Sequence, residues 1–286
     1  MKRYYLISTS HLCDRILFLD DKDFTTAMNL VAVTAHITGT CVITFVLMSN
    51  HVHFILYATK GEAISFIERF KHLYSMYFRH RYGPSRPLKG NSADIREVSG
   101  GNESIERAIA YVQMNPVAAN ICPHPSLYPW GCGCSFFNPK ADRGRTIESI
   151  SVRSQRTLLH SNVRLPDDYV LLDEGFISPR SYIPIKKVES VFRTSNRYNF
   201  FLNNSSKAKS RMEDSAVPSF RDQVINNAIQ DLCHSLFRTD DFKSLNNEDA
   251  TDLLKQLRWR FSADIAQLAR ITGLPYRQIT AMIESL

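Results

Sequence analysis

The sequence predicts an α+β protein in which a small antiparallel sheet with helices is followed by a connector and an all-helical C-terminal region. Three observations support this class. Residues 1–138 alternate β-branched runs with helical patterns, residues 139–215 have short apolar runs broken by prolines and polar stretches, and residues 216–286 are helical almost throughout. With 286 residues, 44% hydrophobic and 22% charged, the chain has the composition of a folded globular protein and the length of two domains.

The first domain has a strand, helix, hairpin, helix, strand, helix order. Gly39 ends the first helix, and Gly83 with Pro84 ends the second. Ser104 is a suitable N-cap for the third helix, which Pro116 prevents from continuing. This order is typical of ferredoxin-like or RRM-like α/β sandwiches with an antiparallel sheet. The elements are predicted over residues 4–9, 24–36, 40–47, 51–57, 63–82, 94–98 and 104–115.

Residues 262–286 have the form of a helix-turn-helix. Ala269 is small at the expected helix contact, Gly273 lies in the turn, and Ile279 supplies the apolar contact of the second helix. A glycine turn between two helices also closes many small bundles that do not bind DNA. The sequence leaves both interpretations open.

The chain is basic, and its charge is unevenly distributed. Thirty-five lysine and arginine residues against 28 acidic ones give a net charge of +7, and the pI is about 9.1, which favours a polyanionic partner. Residues 69–89 contain no acidic residue and interleave cations with aromatic rings that can stack on unpaired bases. A solvated helix face with its rings in the core fits equally well. On the first interpretation, the nucleic-acid-binding residues are Arg69, Lys71, Tyr74, Tyr77, Arg79 and Arg81.

The cysteine spacing and the apolar runs predict the compartment. The six cysteines lack the paired spacing of a zinc site or a disulfide framework, which indicates free thiols in a reducing environment. The longest apolar run, residues 41–48, is too short to span a membrane, and the N-terminus has no signal-peptide pattern. We therefore expect a cytoplasmic protein without a membrane partner. The sequence leaves open whether it is a monomer or a homodimer.

Two histidines on the predicted hairpin form a candidate metal site. His51 and His53 are two residues apart on a strand, so both project to the same face while Val52 enters the opposite one. Both imidazoles can therefore reach a single ion. Such a pair is more often found on a surface or in a core without any metal. Here the pair follows a buried strand and a polar turn and precedes the basic helix, which favours the metal.

Tyr111 and Asn115 form a second candidate pair. They are four residues apart on a predicted helix and therefore lie on the same face, where a phenol and an amide oxygen can meet one centre. The simpler interpretation is a core tyrosine and an asparagine that ends the helix before Pro116. The spacing by itself favours the simpler one.

Several blocks of the first domain resemble the REP-associated tyrosine transposases, which are HUH single-strand transposases with one catalytic tyrosine. The resemblance covers roughly residues 1–138, with the blocks in the same order. A histidine-hydrophobic-histidine block lies on the hairpin, two basic aromatic blocks follow on the next helix, and a tyrosine block precedes a Pro-Trp dipeptide. These blocks are residues 46–56, 70–74, 77–83, 111–117 and 128–130.

The resemblance implies the role of each site residue. His51, His53 and Asn115 hold a divalent ion, Mg²⁺ or Mn²⁺, and Tyr111 is the nucleophile. The implied activity is metal-dependent nicking and rejoining of single-stranded DNA at hairpin-forming sites, through a 5′-phosphotyrosine intermediate. Two departures from the family pattern affect hairpin recognition rather than catalysis, namely the Pro84–Pro87 segment and the cysteine-containing stretch Gly131–Cys134.

Two other functions compete with the transposase. A non-enzymatic, domesticated DNA-binding regulator keeps the fold and the basic helix and uses the C-terminal helix-turn-helix. The intact set of His51, His53, Tyr111 and Asn115 argues against this rival. An RRM-like RNA-binding protein is the third hypothesis, but the sequence lacks the paired aromatic sheet motifs of that family.

Overall fold

The computed structural model describes residues 1–9, 16–83, 93–99, 103–119, 121–140, 142–205, 222–261 and 263–284. The α+β class and the four-stranded antiparallel sheet are confirmed. The strand order is β2-β3-β1-β4, and every neighbouring pair is antiparallel. The elements that build this sheet and cover one of its faces are β1 (Arg3–Ser8), α1 (Asp21–Thr38), β2 (Cys41–Met48), β3 (His51–Ala58), α2 (Lys60–Tyr82) and β4 (Asp94–Glu97).

Local sequence signals set the ends of these elements. Asp20 caps α1 by accepting a hydrogen bond from the Asp23 backbone N–H at 3.0 Å, and Gly39 ends α1 at a φ of 61° that favours glycine. Thr59 and Glu62 form a reciprocal capping box at the start of α2. The predicted strands over 40–47 and 51–57 left residues 48–50 as the hairpin turn. Met48 instead belongs to β2 and pairs with His51, so the turn is one residue shorter than predicted.

The two faces of β3 have different neighbours. Phe54 faces α2, with its ring centroid 5.2 Å from that of Phe66 and 5.5 Å from that of Phe70. His53 projects to the opposite face, where Tyr111 of the third helix lies over the sheet with a ring separation of 5.9 Å. The candidate site therefore lies on the face that α1 and α2 leave uncovered.

The third helix differs from the prediction at both ends. It is α3 (Ser104–Gln113), and Ser104 is its first residue rather than its N-cap, because Glu103 occupies the cap position at a φ of 72° without a side-chain cap. A second short helix, α4 (Asn115–Ala118), begins immediately afterwards, with Pro116 in its first turn. Asn115 therefore lies just beyond the helix that carries Tyr111.

The segment after α4 covers the outer edge of β2. The Leu47 backbone N–H donates to the Trp130 carbonyl at 2.8 Å, and the Tyr128 hydroxyl donates to the Leu47 carbonyl at 2.7 Å. The buried Cys132 thiol lies 3.3 Å from the Phe45 backbone nitrogen. These bonds satisfy backbone groups that an open edge strand would expose.

Residues 142–205, predicted as part of a connector with partial structure, form regular elements that pack on the main core. Phe176, Phe192 and Tyr198 are buried in the same apolar cluster as the sheet. Residues 206–215 of the predicted connector lie outside the described residues. The elements are β5 (Gly144–Thr146), α5 (Val152–Leu159), β6 (Val170–Leu172), α6 (Ile185–Phe192) and α7 (Ser195–Asn203).

The C-terminal region is all-helical and has an apolar cluster of its own, which includes Ile225, Leu257 and Ile279. Gly273 ends the penultimate helix at a φ of 73°, as the glycine turn predicted. No helix among the described residues is long and apolar enough to cross a membrane. The helices are α8 (Asp222–Leu232), which runs into a π-helical turn over Cys233–Phe237, followed by α9 (Asn247–Phe261), α10 (Ile265–Thr272) and α11 (Tyr276–Glu284).

Candidate active site

The two histidines lie side by side at the start of β3. Their ring centroids are 4.8 Å apart, and the ring planes are inclined by 87°. The Nδ1 atom of His51 lies 2.7 Å from Oδ1 of Asn50 in the hairpin turn. Because a carbonyl oxygen only accepts hydrogen bonds, this contact places the hydrogen on Nδ1 and makes Nε2 the ring nitrogen that carries the lone pair.

His53 and Tyr111 connect the sheet to α3. His53 is only 3% exposed, and its ring meets that of Tyr111 edge to face at a centroid distance of 5.9 Å. Tyr111 is half-buried, packs against the main apolar core and lines a cavity. This geometry suits a side chain that is held by its ring and works through its hydroxyl.

Hydrogen bonds determine the orientation of Asn115. Its Nδ2 atom donates to the Tyr111 carbonyl at 2.9 Å and to the Val112 carbonyl at 3.1 Å. Both amide hydrogens are therefore used on the open C-terminal carbonyls of α3, and the Oδ1 atom is the end turned away from them. Asn115 thus closes the helix and lines the cavity, and Oδ1 is the amide atom that these two hydrogen bonds do not use.

A cavity of about 400 Å³ brings the predicted catalytic residues together. His51, His53, Tyr111 and Asn115 all line it, although two come from a strand and two from helices about 60 residues later. Another wall of the cavity comes from the C-terminal region, through Asp222, Asp264, Gln267 and Arg270. Sequence reasoning missed this wall, because no local pattern links residues 222–270 to the hairpin.

The donor set is compatible with a divalent metal ion. In the described part of the chain, no group of three His, Cys, Asp or Glu side chains is placed to hold a metal ion. The predicted set contains only two such residues, and its third member is the Asn115 amide oxygen. Two imidazole nitrogens and one amide oxygen leave positions open for phosphate and water. This N/O set is compatible with Mn²⁺ or Mg²⁺, although imidazole also suits softer metals.

Two of the predicted DNA-binding residues belong to the core, so the prediction that their rings stack on bases is wrong. Tyr74 is 0% exposed and its hydroxyl donates to the Leu17 carbonyl at 2.7 Å. Tyr77 is 4% exposed and donates to Asp23 at 2.7 Å, and burial with this bond raises the pKa of Tyr77 to about 12. The aromatic rings that are interleaved with cations in the sequence mark instead the side of α2 that packs on α1.

Arg81 also has an internal role. Its guanidinium pairs with Asp20 and donates to Asp23 at 2.6 Å and to the Tyr77 hydroxyl at 3.0 Å. The Asp23 side chain is fully buried, so Arg81 neutralises a charge that has no access to water. This network joins the end of α2 to the start of α1.

The other three cations of α2 that were predicted to bind DNA stay candidates for DNA contact. Arg69 and Arg79 are exposed, and Lys71 is half-buried. Burial lowers the pKa of Lys71, although the nearby Glu68 opposes this shift. Arg86 and Lys89, which extend the basic stretch in the sequence, lie outside the described residues.

The five described cysteines carry free thiols, as the spacing predicted; Cys13 lies outside the described residues. Cys132 is fully buried, and this burial raises its thiol pKa to about 12. A thiol with so high a pKa is a poor nucleophile. Cys132 therefore belongs to the packing behind the site.

Comparison with protein-family models gives no match, and comparisons with curated proteins and with solved structures give none either. The assignment of function therefore rests on the cavity and its residues.

Proposed function

We propose that the protein is a metal-dependent single-stranded DNA transposase that nicks and rejoins DNA at hairpin-forming sites. The observation that carries the proposal is the convergence of His51, His53, Tyr111 and Asn115 on one cavity. The β-α-β-β-α-β element order with strand order β2-β3-β1-β4 supports a ferredoxin-like catalytic domain. Both features agree with the resemblance to the REP-associated tyrosine transposases.

Tyr111 is the nucleophile of this proposal. Its phenol loses a proton to solvent as the oxygen bonds to phosphorus, the P–O3′ bond breaks, and the leaving 3′ oxygen takes up a proton. The products are a 5′-phosphotyrosine and a free 3′-OH. Phenols are better leaving groups than alkyl alcohols, since their pKa is about 10, so another 3′-OH can reverse the linkage without external energy. This chemistry suits strand transfer rather than hydrolysis.

His51, His53 and Asn115 would hold the divalent ion. When bound, Mg²⁺ or Mn²⁺ polarises the scissile phosphate and neutralises charge in the transition state. The hydrogen bond from His51 to Asn50 orients that imidazole, and the two hydrogen bonds donated by Asn115 orient its amide. The chain thus supplies ligands that are already positioned.

A second candidate function is binding of duplex DNA without catalysis. The α10 and α11 pair supports it, because Gly273 ends α10 ahead of α11, as a helix-turn-helix requires, and Tyr276 and Arg277 are exposed at the start of α11. In this regulator, the cavity residues would belong to the fold and take no part in catalysis. The cavity set favours the transposase, since core packing alone does not require two histidines, a tyrosine and an oriented amide.

A covalent-adduct assay separates the two functions. The full chain is incubated with labelled single-stranded DNA from beside its own gene and with Mn²⁺, and the mixture is then denatured. The transposase predicts a protein–DNA adduct that survives denaturation and requires Mn²⁺. A regulator binds DNA but leaves no adduct.

A further inference from the structure

A buried carboxylate joins the C-terminal helices to the catalytic hairpin. Asp222 is the first described residue of α8, and its side chain is only 2% exposed. It lines the same cavity as His51 and Tyr111. A carboxylate in such a position needs nearby donors and positive charge to offset the loss of water.

Three side chains from two distant parts of the chain supply these donors. The Ser49 hydroxyl, in the hairpin turn, donates to Asp222 Oδ2 at 3.1 Å, and Gln267 Nε2 donates to Oδ1 at 2.8 Å. Arg270 donates through Nε at 3.1 Å and through Nη2 at 3.3 Å. The donors therefore enclose one anionic group with two oxygens and a single negative charge.

A DNA phosphodiester presents the same recognition features as this carboxylate. It carries one negative charge on two free oxygens, and an arginine can bind both oxygens at once. Ser49 lies two residues before His51, so an anion held by these donors lies next to the proposed catalytic residues. Asp222 thus resembles a backbone phosphate in its charge and its two oxygens, and it lies in the cavity that holds the proposed catalytic residues.

We propose that Ser49, Gln267 and Arg270 form a phosphodiester-binding site beside the catalytic cavity, and that Asp222 occupies this site in the absence of DNA. The identification of the anion as a single-strand phosphate rests on the proposed function. When a strand enters, its phosphate replaces the Asp222 carboxylate, and the start of α8 leaves the hairpin turn. The C-terminal helices then both supply a substrate contact and restrict access to Tyr111.

The first test removes the internal anion. Asp222→Asn and Asp222→Asn with Arg270→Gln are prepared in the full chain carrying Tyr111→Phe, which prevents covalent capture. Binding of a labelled mixed-sequence single-stranded oligonucleotide is measured by fluorescence anisotropy over a range of salt concentrations. Asp222→Asn is expected to raise the affinity about tenfold and to steepen the log–log salt slope by about 0.7, the value for one additional contact to a single strand. Adding Arg270→Gln is expected to abolish both gains.

A matched control is present elsewhere in the chain. Asp142 also accepts from a serine, Ser178, and pairs with an arginine, Arg180, at 3.2 Å, but it does not line the catalytic cavity. Asp142→Asn is therefore expected to leave affinity and salt slope unchanged. Equal gains in affinity from Asp142→Asn and Asp222→Asn would show that the effect comes from the change in net charge. The proposed phosphodiester-binding site would then be wrong.

Hydrogen exchange tests the displacement in the chain without the Asp222 substitution, in case Asp222→Asn does not fold. Saturation with the same oligonucleotide is expected to accelerate exchange of the amides at the start of α8. Unchanged or slower exchange there would mean that Asp222 stays in place, and the proposal would be wrong.

Failure of the anion-site proposal can be distinguished from failure of the proposed transposase function. A gain in affinity from Asp222→Asn without any adduct in the parent chain would keep the anion site and reject the transposase. An adduct in the parent chain together with unchanged affinity in Asp222→Asn would keep the transposase and reject the anion site.

Discussion

Arg79 and Arg81 lie two residues apart on α2 and are expected to have opposite roles. Arg81→Ala leaves the fully buried Asp23 carboxylate without its cation. Breaking a buried pair costs about 3–5 kcal/mol, and we expect the lower value, about 3 kcal/mol, because Asp23 keeps hydrogen bonds from the Leu19 backbone N–H and from Tyr77. Arg79 is exposed and pairs with no buried carboxylate among the described residues, so Arg79→Ala is expected to change stability by less than about 0.5 kcal/mol.

The two variants are compared by urea unfolding and by the salt dependence of single-stranded DNA binding. Arg79→Ala is expected to flatten the log–log salt slope by about 0.7, whereas Arg81→Ala leaves the slope unchanged under conditions where it is folded. A flatter slope for Arg81→Ala with normal stability would refute the structural role.

The difference in free energy of unfolding between the parent chain and Arg81→Ala should also depend on pH. Burial by itself raises the pKa of Asp20, but hydrogen bonds from Arg81 and from backbone N–H groups outweigh it and hold the pKa below its ordinary value. A carboxylate with a lowered pKa stabilises the fold above the unfolded value of about 4, and this stability is lost as pH falls through the folded value. The difference between the parent chain and Arg81→Ala should therefore narrow below about pH 4.

Two further substitutions test the metal ligands, with the increase in melting temperature on adding Mn²⁺ as the measurement. His51→Ala is expected to change stability by at most about 1 kcal/mol, because His51 is only half-buried, but to lose the Mn²⁺-dependent increase; an undiminished increase would exclude His51 as a ligand. Asn115→Asp removes the two hydrogen bonds donated to α3, so it should lower the free energy of unfolding without metal by about 2 kcal/mol. The same variant should show a larger Mn²⁺-dependent increase in melting temperature, because a carboxylate is a stronger oxygen ligand than an amide. An equal or smaller increase would contradict a ligand role for Asn115.

Much of the candidate site could be predicted because its parts are local. The two-residue period of a strand places His51 and His53 on one face, and one helical turn separates Tyr111 from Asn115. The hairpin and the helix ends follow from turn and cap residues such as Gly39. The packing of α3 on the sheet brings the histidine pair and the Tyr111–Asn115 pair together. In the sequence, only the resemblance to the transposase family indicated that these two pairs meet.

The errors and omissions have physical reasons as well. Aromatic residues at helical spacing look the same whether they stack on bases or fill a core, so the sequence could not show that Tyr74 and Tyr77 are buried. Arg81 looked like a phosphate ligand because its partners, Asp20 and Asp23, lie about 60 residues earlier. The contact of Asp222 with Ser49 spans 173 residues, and no periodicity reports a contact at that separation.

The most direct test of the central claim is to locate the covalent bond. The full chain is reacted with single-stranded DNA and Mn²⁺, digested with protease and nuclease, and analysed by mass spectrometry, with Tyr111→Phe treated in parallel. We predict a nucleotide linked through phosphate to the peptide that contains Tyr111, and no adduct in Tyr111→Phe, which should still bind DNA. A nucleotide on any other tyrosine, or an undiminished adduct in Tyr111→Phe, would contradict the assignment of the active site.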